Sequence, residues 1–263
     1  MNNSVLLSLF WIFLLINPSF SQDNSYADSL KSYEWRAIGP ANMGGRVTDI
    51  DGIPGDASTF YVSGADGGIF KTTNGGVGFK PIFEGQRAYS IGALTIAPSD
   101  PNVLWVGTGE GDPRNSVGYG WGVYRSVDAG KSWVHLGLKE TERIKRIVVD
   151  PNNPDVACVC ALGKEWGANS ERGVFKTTDG GKNWKKILYI DADTGCADIA
   201  MELSNPRIMY AGMWTFRRRP WRFDDGGKET AIYRTMDGGE TWKKIMNGLP
   251  DKPMARPGIH VAK

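Results

Sequence analysis

The octamer Thr235-Met-Asp-Gly-Gly-Glu-Thr-Trp242 occurs in four versions along the chain. Thr177-Thr-Asp-Gly-Gly-Lys-Asn-Trp184 is a near copy, and Ser126-Val-Asp-Ala-Gly-Lys-Ser-Trp133 is a third. A worn fourth, Thr72-Thr-Asn-Gly-Gly-Val-Gly-Phe79, has Asn for Asp and Phe for Trp. The third positions, 74, 128, 179 and 237, are 54, 51 and 58 residues apart. Recurrence at about fifty residues indicates a repeat architecture.

Each octamer has the composition of a tight turn. The Asp or Asn two residues before a glycine can accept hydrogen bonds from the N–H groups of the turn, and glycine adopts the positive φ that the turn needs. The closing Trp can pack beneath the turn. Alternating apolar runs flank the octamer, such as Ala231–Arg234 before it and Trp242–Ile245 after it. The octamer therefore predicts the turn of a β-hairpin.

The pattern Ser/Thr-x-Asp-x-Gly-x-Ser/Thr-Trp resembles the Asp-box, or bacterial neuraminidase repeat. Members of that family are β-propellers and include sialidases, xyloglucan-cleaving enzymes and the sortilin receptors. The resemblance implies an all-β propeller in which the box itself is structural. The positions that carry this structural role are Asn74, Gly76, Asp128, Gly130, Trp133, Asp179, Gly181, Trp184, Asp237, Gly239 and Trp242.

Four strand-like runs accompany each octamer, as expected for the four-stranded antiparallel blade of a β-propeller. The predicted blades span about residues 45–85, 90–138, 143–190 and 196–247, within a propeller domain at 32–263. A lone outer strand is predicted at Tyr33–Gly39, and the start of a further blade at 256–263. These orphan strands favour a larger propeller over a closed ring of four blades, because unpaired edges promote aggregation. The missing blades would come from a longer parent chain or a second copy.

Composition limits the classes of partner. The 263 residues include 34 glycines, about 13% against a usual value of roughly 7%, as many short strands and turns require. The formal net charge is +2, from 31 basic and 29 acidic residues. Such a balance gives no overall field to attract nucleic acid or an anionic membrane.

The N-terminus has the pattern of an export signal. Residues 5–16 form an apolar run that is too short to span a bilayer, and Ser19 and Ser21 supply small residues at a cleavage position. We expect residues 1–21 to be removed, leaving a polar lead at 22–31. An uncleaved membrane anchor is the alternative. The mature protein is then exported and has no membrane segment.

The cysteines and histidines indicate no zinc site. The chain has three cysteines and two histidines, and His135 and His260 are far apart. Cys158 and Cys160 face the same way on a predicted strand, and Cys196 could pair with one of them. Alternatively, all three are buried as small hydrophobic residues. We favour the second arrangement, because an odd count fits no complete disulfide framework.

Chemistry-bearing residues concentrate in the predicted loops between the second and third strands of each blade. Strand order places these loops on one face and the octamers on the other. Binding residues usually lie on such loops of a rigid scaffold. The candidate ligand-binding residues are Glu110, Asp112, Arg114, Asn115, Trp121, Trp166, Trp214, Arg217, Arg218, Arg219, Trp221 and Arg222.

Three further segments resemble large secreted bacterial proteins with a sortilin-type N-terminal propeller. They are Gly109–Ser116, which contains Asn115; Leu162–Trp166; and Arg218–Trp221. Those proteins often carry the label of glycosyl hydrolases by similarity. The resemblance implies an exported propeller more firmly than it implies a reaction.

An enzymatic function centres on Asp66. Xyloglucan-cleaving propellers resemble this chain at Ala65–Phe70, where their pattern carries a catalytic Asp before Gly-Gly and an aromatic residue. An inverting glycosidase needs a second carboxyl about 6.5–9.5 Å away. The resemblance implies that this partner comes from a second propeller, for which the chain has no matching segment. The alternative is that Asp66 caps the tight Gly-Gly turn.

A binding function centres on the fourth blade, whose predicted loop at 214–225 alternates arginine with aromatic residues. Arginine pairs with carboxylate or sulfate, and an exposed Trp stacks on sugar rings. The alternative is that Trp221 and the arginines pack across blades, tied to Asp224, Asp225 and Glu110.

No metal or cofactor is expected. Glu110, Asp112 and Asn115 offer oxygen ligands for calcium, but without the spacing of a known calcium loop. The favoured function is an exported scaffold that binds a glycan or peptide through its loops. The alternative is a glycoside hydrolase with Asp66 as one catalytic carboxylate.

Overall fold

A computed structural model describes residues 45–250 and 253–261. The expected signal segment at 1–21, the polar lead and the outer strand predicted at Tyr33–Gly39 lie outside the described residues. In the described part of the chain, no helix has the length and apolarity needed to cross a membrane.

Four antiparallel sheets follow one another along the chain, and within each sheet the strands pair in chain order. The predicted all-β propeller with four-stranded blades is therefore confirmed. Blade 1 contains β1 (Val47–Gly52), β2 (Phe60–Gly64), β3 (Gly68–Thr72) and β4 (Lys80–Pro81). Blade 2 contains β5 (Ile91–Ala97), β6 (Asp100–Thr108), β7 (Val123–Ser126) and β8 (Val134–His135). Blade 3 follows a 3-10 turn at Lys139–Thr141 and contains β9 (Ile144–Asp150), β10 (Asn153–Ala161), β11 (Gly173–Thr177) and β12 (Lys185–Leu188).

Blade 4 contains β13 (Thr194–Met201), β14 (Met209–Arg219), β16 (Ala231–Thr235) and β17 (Lys243–Ile245). Its β14 runs beyond the sheet and pairs with β15 (Arg222–Asp225). The prediction of an irregular loop at 214–225 is thus wrong, since most of it is a two-stranded hairpin. The physical reason is alternation: Trp214 and Phe216 are buried and Thr215 between them is half-buried, which continues the strand period.

The four octamers form the same turn. In the octamer of blade 3, Thr177 Oγ1 donates to Asp179 Oδ1 at 2.8 Å and accepts from the N–H of Gly181 at 2.9 Å. Asp179 Oδ1 also accepts from the N–H of Asn183 at 3.0 Å. In the worn copy, Asn74 Oδ1 takes the place of the carboxylate oxygen. Ala129 occupies a position that is glycine in the other three octamers and has φ 58°.

The hydrophobic core lies between successive blades. Strand alternation divides the side chains of β10 between two neighbours: Val159 packs toward blade 2, and Cys158 and Cys160 pack toward blade 4. Blade 3 is therefore apolar on both faces, as expected for a sheet packed between two others.

Cys160 and Cys196 form a disulfide that joins β10 to β13, and Cys158 is a buried free thiol. The expectation that all three cysteines are unpaired is wrong. The disulfide forms because blade 3 packs on blade 4, which brings the Cα atoms of Cys160 and Cys196 to within 5.0 Å although they are 36 residues apart in sequence. Burial raises the pKa of the Cys158 thiol to about 12, so this thiol is protonated at neutral pH.

Carboxylates on the inner strands join one blade to the next. Asp49 on β1 accepts from the N–H of Leu94 at 3.1 Å, and Asp51 accepts from the N–H of Ile96 at 2.8 Å. Residues 253–261 form no strand. Even so, the N–H of Ile259 donates to Asp198 on β13 at 2.9 Å. Ile259 therefore contacts blade 4 in the manner in which β5 contacts blade 1.

Candidate functional site

The loop face consists of residues 65–67, 109–122 and 162–172 and the β14–β15 hairpin. Contacts between different blades hold these segments together. Arg46, before β1, pairs with Glu110 in blade 2, and Arg218 of the hairpin donates to Asn115 Oδ1. The N–H of Arg218 also donates to the carbonyl of Glu165 at 3.2 Å. The structure therefore brings together residues that lie up to 103 positions apart.

Asp66 lies in the short turn between β2 and β3 and is exposed. The turn is anchored on both sides, because the N–H of Ala65 donates to the carbonyl of Arg46 at 2.9 Å and the N–H of Gly68 donates to that of Tyr89 at 2.8 Å. Desolvation and the nearby Glu110 carboxylate raise the pKa of Asp66, and Arg46 opposes them. No hydrogen bond contributes to this pKa. The described residues thus lend no support to a capping role for Asp66.

Gly118 closes the other side of Asp66. A Cβ on Gly118 would overlap Asp66 Oδ1 and would lie 2.6 Å from the Cβ of Ser90. The loop at 109–122 therefore approaches the carboxylate with its backbone. Only a glycine leaves room for that approach.

Glu110 is buried and accepts two hydrogen bonds from Arg46, at 2.7 and 2.6 Å. Its N–H donates to Ser90 Oγ at 2.9 Å, and the Arg114 guanidinium lies 3.8 Å from its carboxylate. Glu110, predicted to bind a ligand, is therefore paired within the protein in this structure. A carboxylate with 1% of its side chain exposed and both oxygens paired has no free surface.

Asp112 lies at the next turn of the same loop. It accepts from Lys145 Nζ at 3.1 Å and pairs with Arg256. Burial acts to raise the pKa of Asp112, but Lys145 and Arg256 outweigh it and lower that pKa below its usual range. Asp112 is thus an ionised anchor between blade 2 and the segment at 253–261.

Sequence reasoning missed a buried ion pair in blade 3. Arg143 Nη2 lies 2.9 Å from Glu165 Oε2, and neither side chain is more than 1% exposed. Arg172 lies nearby, donates to the carbonyls of Leu162 at 3.0 Å and Gly167 at 3.1 Å, and stacks on the Phe216 ring at 4.6 Å. Burial lowers the pKa of Arg172 to about 10, so it stays protonated at neutral pH. These residues shape the loop that carries Trp166.

Internal partners occupy the arginines of the hairpin. Arg217 pairs with Asp193, and Arg219 and Arg222 pair with Asp224. Arg218 donates to Asn115 and lies over the Phe223 ring at 5.1 Å. The predicted arginines do lie together in the hairpin, but their side chains are paired with other residues of the protein.

The tryptophans of the loop face differ in exposure. Trp214 is only 2% exposed, stacks on Phe216 and donates its indole N–H to Asp225 at 2.9 Å. Trp214, predicted to bind a ligand, is thus turned inward in this structure, because β14 continues through it. Trp121 is covered by Arg87 at 3.9 Å and Lys139 at 5.2 Å. Trp166 and Trp221 are 41% and 80% exposed.

Two cavities accompany the loops and inner strands. One, of about 240 Å³, lies beside the hairpin between Asp193 and Asp224. The other, of about 740 Å³, is lined by the inner strands and includes Asp49 and Arg146. Across residues 45–250 and 253–261, no three His, Cys, Asp or Glu side chains are grouped so as to hold a metal ion. The suggested calcium ligands Glu110 and Asp112 are instead paired with arginine and lysine.

The fold and the loop face define a β-propeller whose loops carry exposed aromatic and carboxylate groups. The family model described as sortilin, neurotensin receptor 3, matches residues 122–252. Among solved structures, an ancestral GH74 enzyme aligns with 80% of this chain and 27% of its own, at 21% identity and a TM-score of 0.61. The GH74 xyloglucanase of Xanthomonas campestris aligns with 83% of this chain and 32% of its own, at 19% identity and a TM-score of 0.58.

Curated relatives are xyloglucanases. One from Acetivibrio thermocellus is 30% identical over 281 residues, which cover 93% of this chain and 30% of the relative. One from Paenibacillus is 23% identical over 254 residues, which cover 86% of this chain and 23% of the relative. The chain thus spans about a quarter of the length of the relatives it matches. Together the matches support the β-propeller fold.

Proposed function

We propose that this chain forms part of an exported glycoside hydrolase that acts on a xyloglucan-type polysaccharide, with Asp66 as one of its two catalytic carboxyls. The observation that carries the proposal is the placement of Asp66: it is exposed on a turn anchored to Arg46 and Tyr89, the backbone at Gly118 approaches its carboxylate, and its pKa is raised. An accessible carboxyl with a raised pKa is the kind of group that serves as a general acid or base. The similarity to xyloglucanases supports the choice of substrate.

The second carboxyl comes, in this proposal, from another part of a longer protein. Glu110 is buried and held by Arg46, and Asp112 is tied to Lys145 and Arg256. Both oxygens of Glu110 are bonded to Arg46, and Asp112 is ion-paired with two basic residues, so neither is proposed as the second carboxyl of an inverting reaction. The short share of each relative that the chain covers agrees with a missing half of the site.

The polysaccharide is expected to lie across the loop face on exposed aromatic rings. Trp221 at the tip of the hairpin is 80% exposed, and Tyr119 and Trp166 are 63% and 41% exposed. Large exposed rings stack well on the apolar faces of sugars. Export rests on the apolar run at 5–16.

Asp66→Asn in the full-length protein tests the proposal, with release of reducing ends from xyloglucan as the assay. We expect the rate to fall about 10²- to 10⁴-fold, the usual contribution of a general acid or base, with binding to the polysaccharide retained. Glu240→Gln is the control, since its exposed pair with Lys185 lies on the octamer face. A rate that survives in Asp66→Asn refutes a catalytic role for Asp66.

Trp221 favours a second candidate, a propeller that binds a glycan or peptide without cleaving it. In that case the wild type releases no reducing ends, and Trp221→Ala weakens retention of the polysaccharide or peptide in affinity electrophoresis. Arg218→Ala tests the anionic-ligand version of the same idea. We expect a smaller effect there, because Arg218 already has Asn115 and Phe223 as partners.

A further inference from the structure

The Arg46–Glu110 pair lies beneath the turn that carries Asp66 and contacts it by two routes. The carbonyl of Arg46 accepts from the N–H of Ala65 at 2.9 Å, while its guanidinium donates to both oxygens of Glu110. The N–H of Glu110 donates to Ser90 Oγ, and Ser90 lies against Gly118, which crowds the Asp66 carboxylate. These contacts connect the residues on both sides of Asp66.

We propose that Arg46 and Glu110 are positioning residues for Asp66: they fix its turn against blade 2 and set the charge that its carboxyl faces. The inference rests on the proposed function, in which Asp66 takes part in hydrolysis. Neither Arg46 nor Glu110 touches the substrate in this arrangement.

Stability alone does not account for the pair. Glu110 is 1% exposed on its side chain, and burying a carboxylate is so unfavourable that an ion pair at best roughly offsets the loss of hydration. An apolar pair of the same size would pack the two blades as well or better. A fixed negative charge in a poorly solvated place, however, acts strongly on a neighbouring carboxyl.

The Asp66 turn contacts three segments that carry charged or titratable groups. The segment before β1 supplies Arg46, and the loop at 109–122 supplies Glu110, with Arg114 at 3.8 Å from it. Tyr119 follows Gly118 on that loop, and Arg87, in the segment before β5, is held over Trp121. Glu110 and Arg46 are the two whose charges act on Asp66, in opposite directions.

Glu110→Gln isolates the charge. Glutamine keeps one oxygen as an acceptor for Arg46, and a neutral side chain is less costly to bury than a carboxylate. Arg46 is 39% exposed on its side chain, so its freed donors remain hydrated. Loss of the negative charge leaves Arg46 as the dominant neighbour, and the pKa of Asp66 falls.

The first experiment is the pH profile of xyloglucan hydrolysis by the full-length protein. We expect the limb that Asp66 governs to move to lower pH in Glu110→Gln, with kcat reduced at the wild-type optimum and KM unchanged. Glu240→Gln on the octamer face should leave the profile in place. A Glu110→Gln profile that coincides with wild type overturns the inference, and loss of activity in Asp66→Asn confirms separately that Asp66 is catalytic.

The second readout needs no catalysis and separates the two proposals. The pKa of Asp66 is higher in the folded state than its unfolded value of 3.8. Ionisation of Asp66 therefore destabilises the fold at pH values above about 3.8. Asp66→Asn should therefore raise the unfolding midpoint at neutral pH, and this gain should vanish below about pH 4. In a Glu110→Gln background the gain should shrink. An undiminished gain overturns the inference even if the protein hydrolyses nothing.

Should Glu110→Gln unfold, Arg46→Lys gives the same test. It keeps the positive charge and loses the two-pronged bond to Glu110, so the turn is held less firmly while the charges stay. We expect a lower kcat with the limb of the profile closer to wild type. An Arg46→Lys variant with wild-type kcat overturns the positioning role.

Discussion

The indole N–H of Trp184 donates to the carbonyl of Leu136 at 2.7 Å, and so the octamer of blade 3 is bonded to the residue that follows β8, the last strand of blade 2. Trp133 bonds to Ile82 of blade 1 in the same way, also at 2.7 Å. The Trp therefore does more than pack beneath its own turn. It bonds blade 3 to blade 2 and blade 2 to blade 1.

Trp184→Phe should lower the free energy of unfolding by about 1–3 kcal/mol, because it leaves the carbonyl of Leu136 without its donor. Trp242→Phe is a matched control. The indole nitrogen of Trp242 is buried and has no acceptor among the described residues, so its loss should be milder by about the value of one hydrogen bond. Urea unfolding of both variants measures the difference. Equal losses would mean that the hydrogen bond contributes nothing beyond ring packing.

The Cys160–Cys196 disulfide should stabilise blade 3 against blade 4. A bridge over 36 residues is typically worth about 2–4 kcal/mol, so Cys160→Ala with Cys196→Ala should lower the free energy of unfolding by that amount. Cys158→Ala is the control, since it removes a free thiol. Thiol labelling of the unfolded chain without reductant should modify one cysteine, and labelling after reduction should modify all three. Three labels before reduction would exclude the bridge.

The strands and octamers could be predicted from sequence, because they depend on the alternation of apolar residues and on turn residues close together in the chain. Alternation in Ile232–Arg234 and the turn residues that follow it act within a few positions of one another. The pairing of Cys160 with Cys196 depends on which blade β10 faces. That placement arises from packing over long distances, and no single strand pattern contains it.

The candidate site shows the same limit. The composition of the loops indicated that charged and aromatic residues gather on one face, and the structure brings Arg218 to Asn115 and Arg46 to Glu110. The composition of the loops could not indicate that Glu110 lies below the surface or that Trp214 turns inward. Burial depends on neighbours from other blades, so a residue type that often binds ligands can equally serve as an internal partner.

Acid should weaken the octamers. Hydrogen bonds from Ser132 in one octamer and from Asn183 in another lower the pKa of Asp128 and Asp179 to about 2, from 3.8 in the unfolded chain. A lowered pKa gives stability that is complete above about pH 4 and is lost as pH falls toward 2. Asp179→Asn should reduce the pH dependence of unfolding in that window by about one proton, and Asn74 shows that the turn accepts the amide. An unchanged slope would contradict the depressed pKa.

A basic residue on the third strand reaches the octamer of the following blade. Lys71 donates to the carbonyl of Ala129 at 3.2 Å, Arg125 to that of Gly180 at 3.4 Å and Lys176 to that of Gly238 at 2.7 Å. Arg234 holds the equivalent position on β16 of blade 4. We therefore expect a further octamer-bearing blade to pack there and to accept a hydrogen bond from Arg234.

Lys176→Met and Arg234→Met test whether a further blade packs against Arg234. Each should cost about 1–2 kcal/mol in a longer protein that contains the next blade, because a charge-assisted hydrogen bond between blades is lost. In residues 22–263 alone, Lys176→Met should keep its cost and Arg234→Met should have almost none. Thermal unfolding of the four samples gives the comparison. An equal cost for Arg234→Met in both lengths would mean that its partner lies within the present chain and that no further blade is needed to accept it.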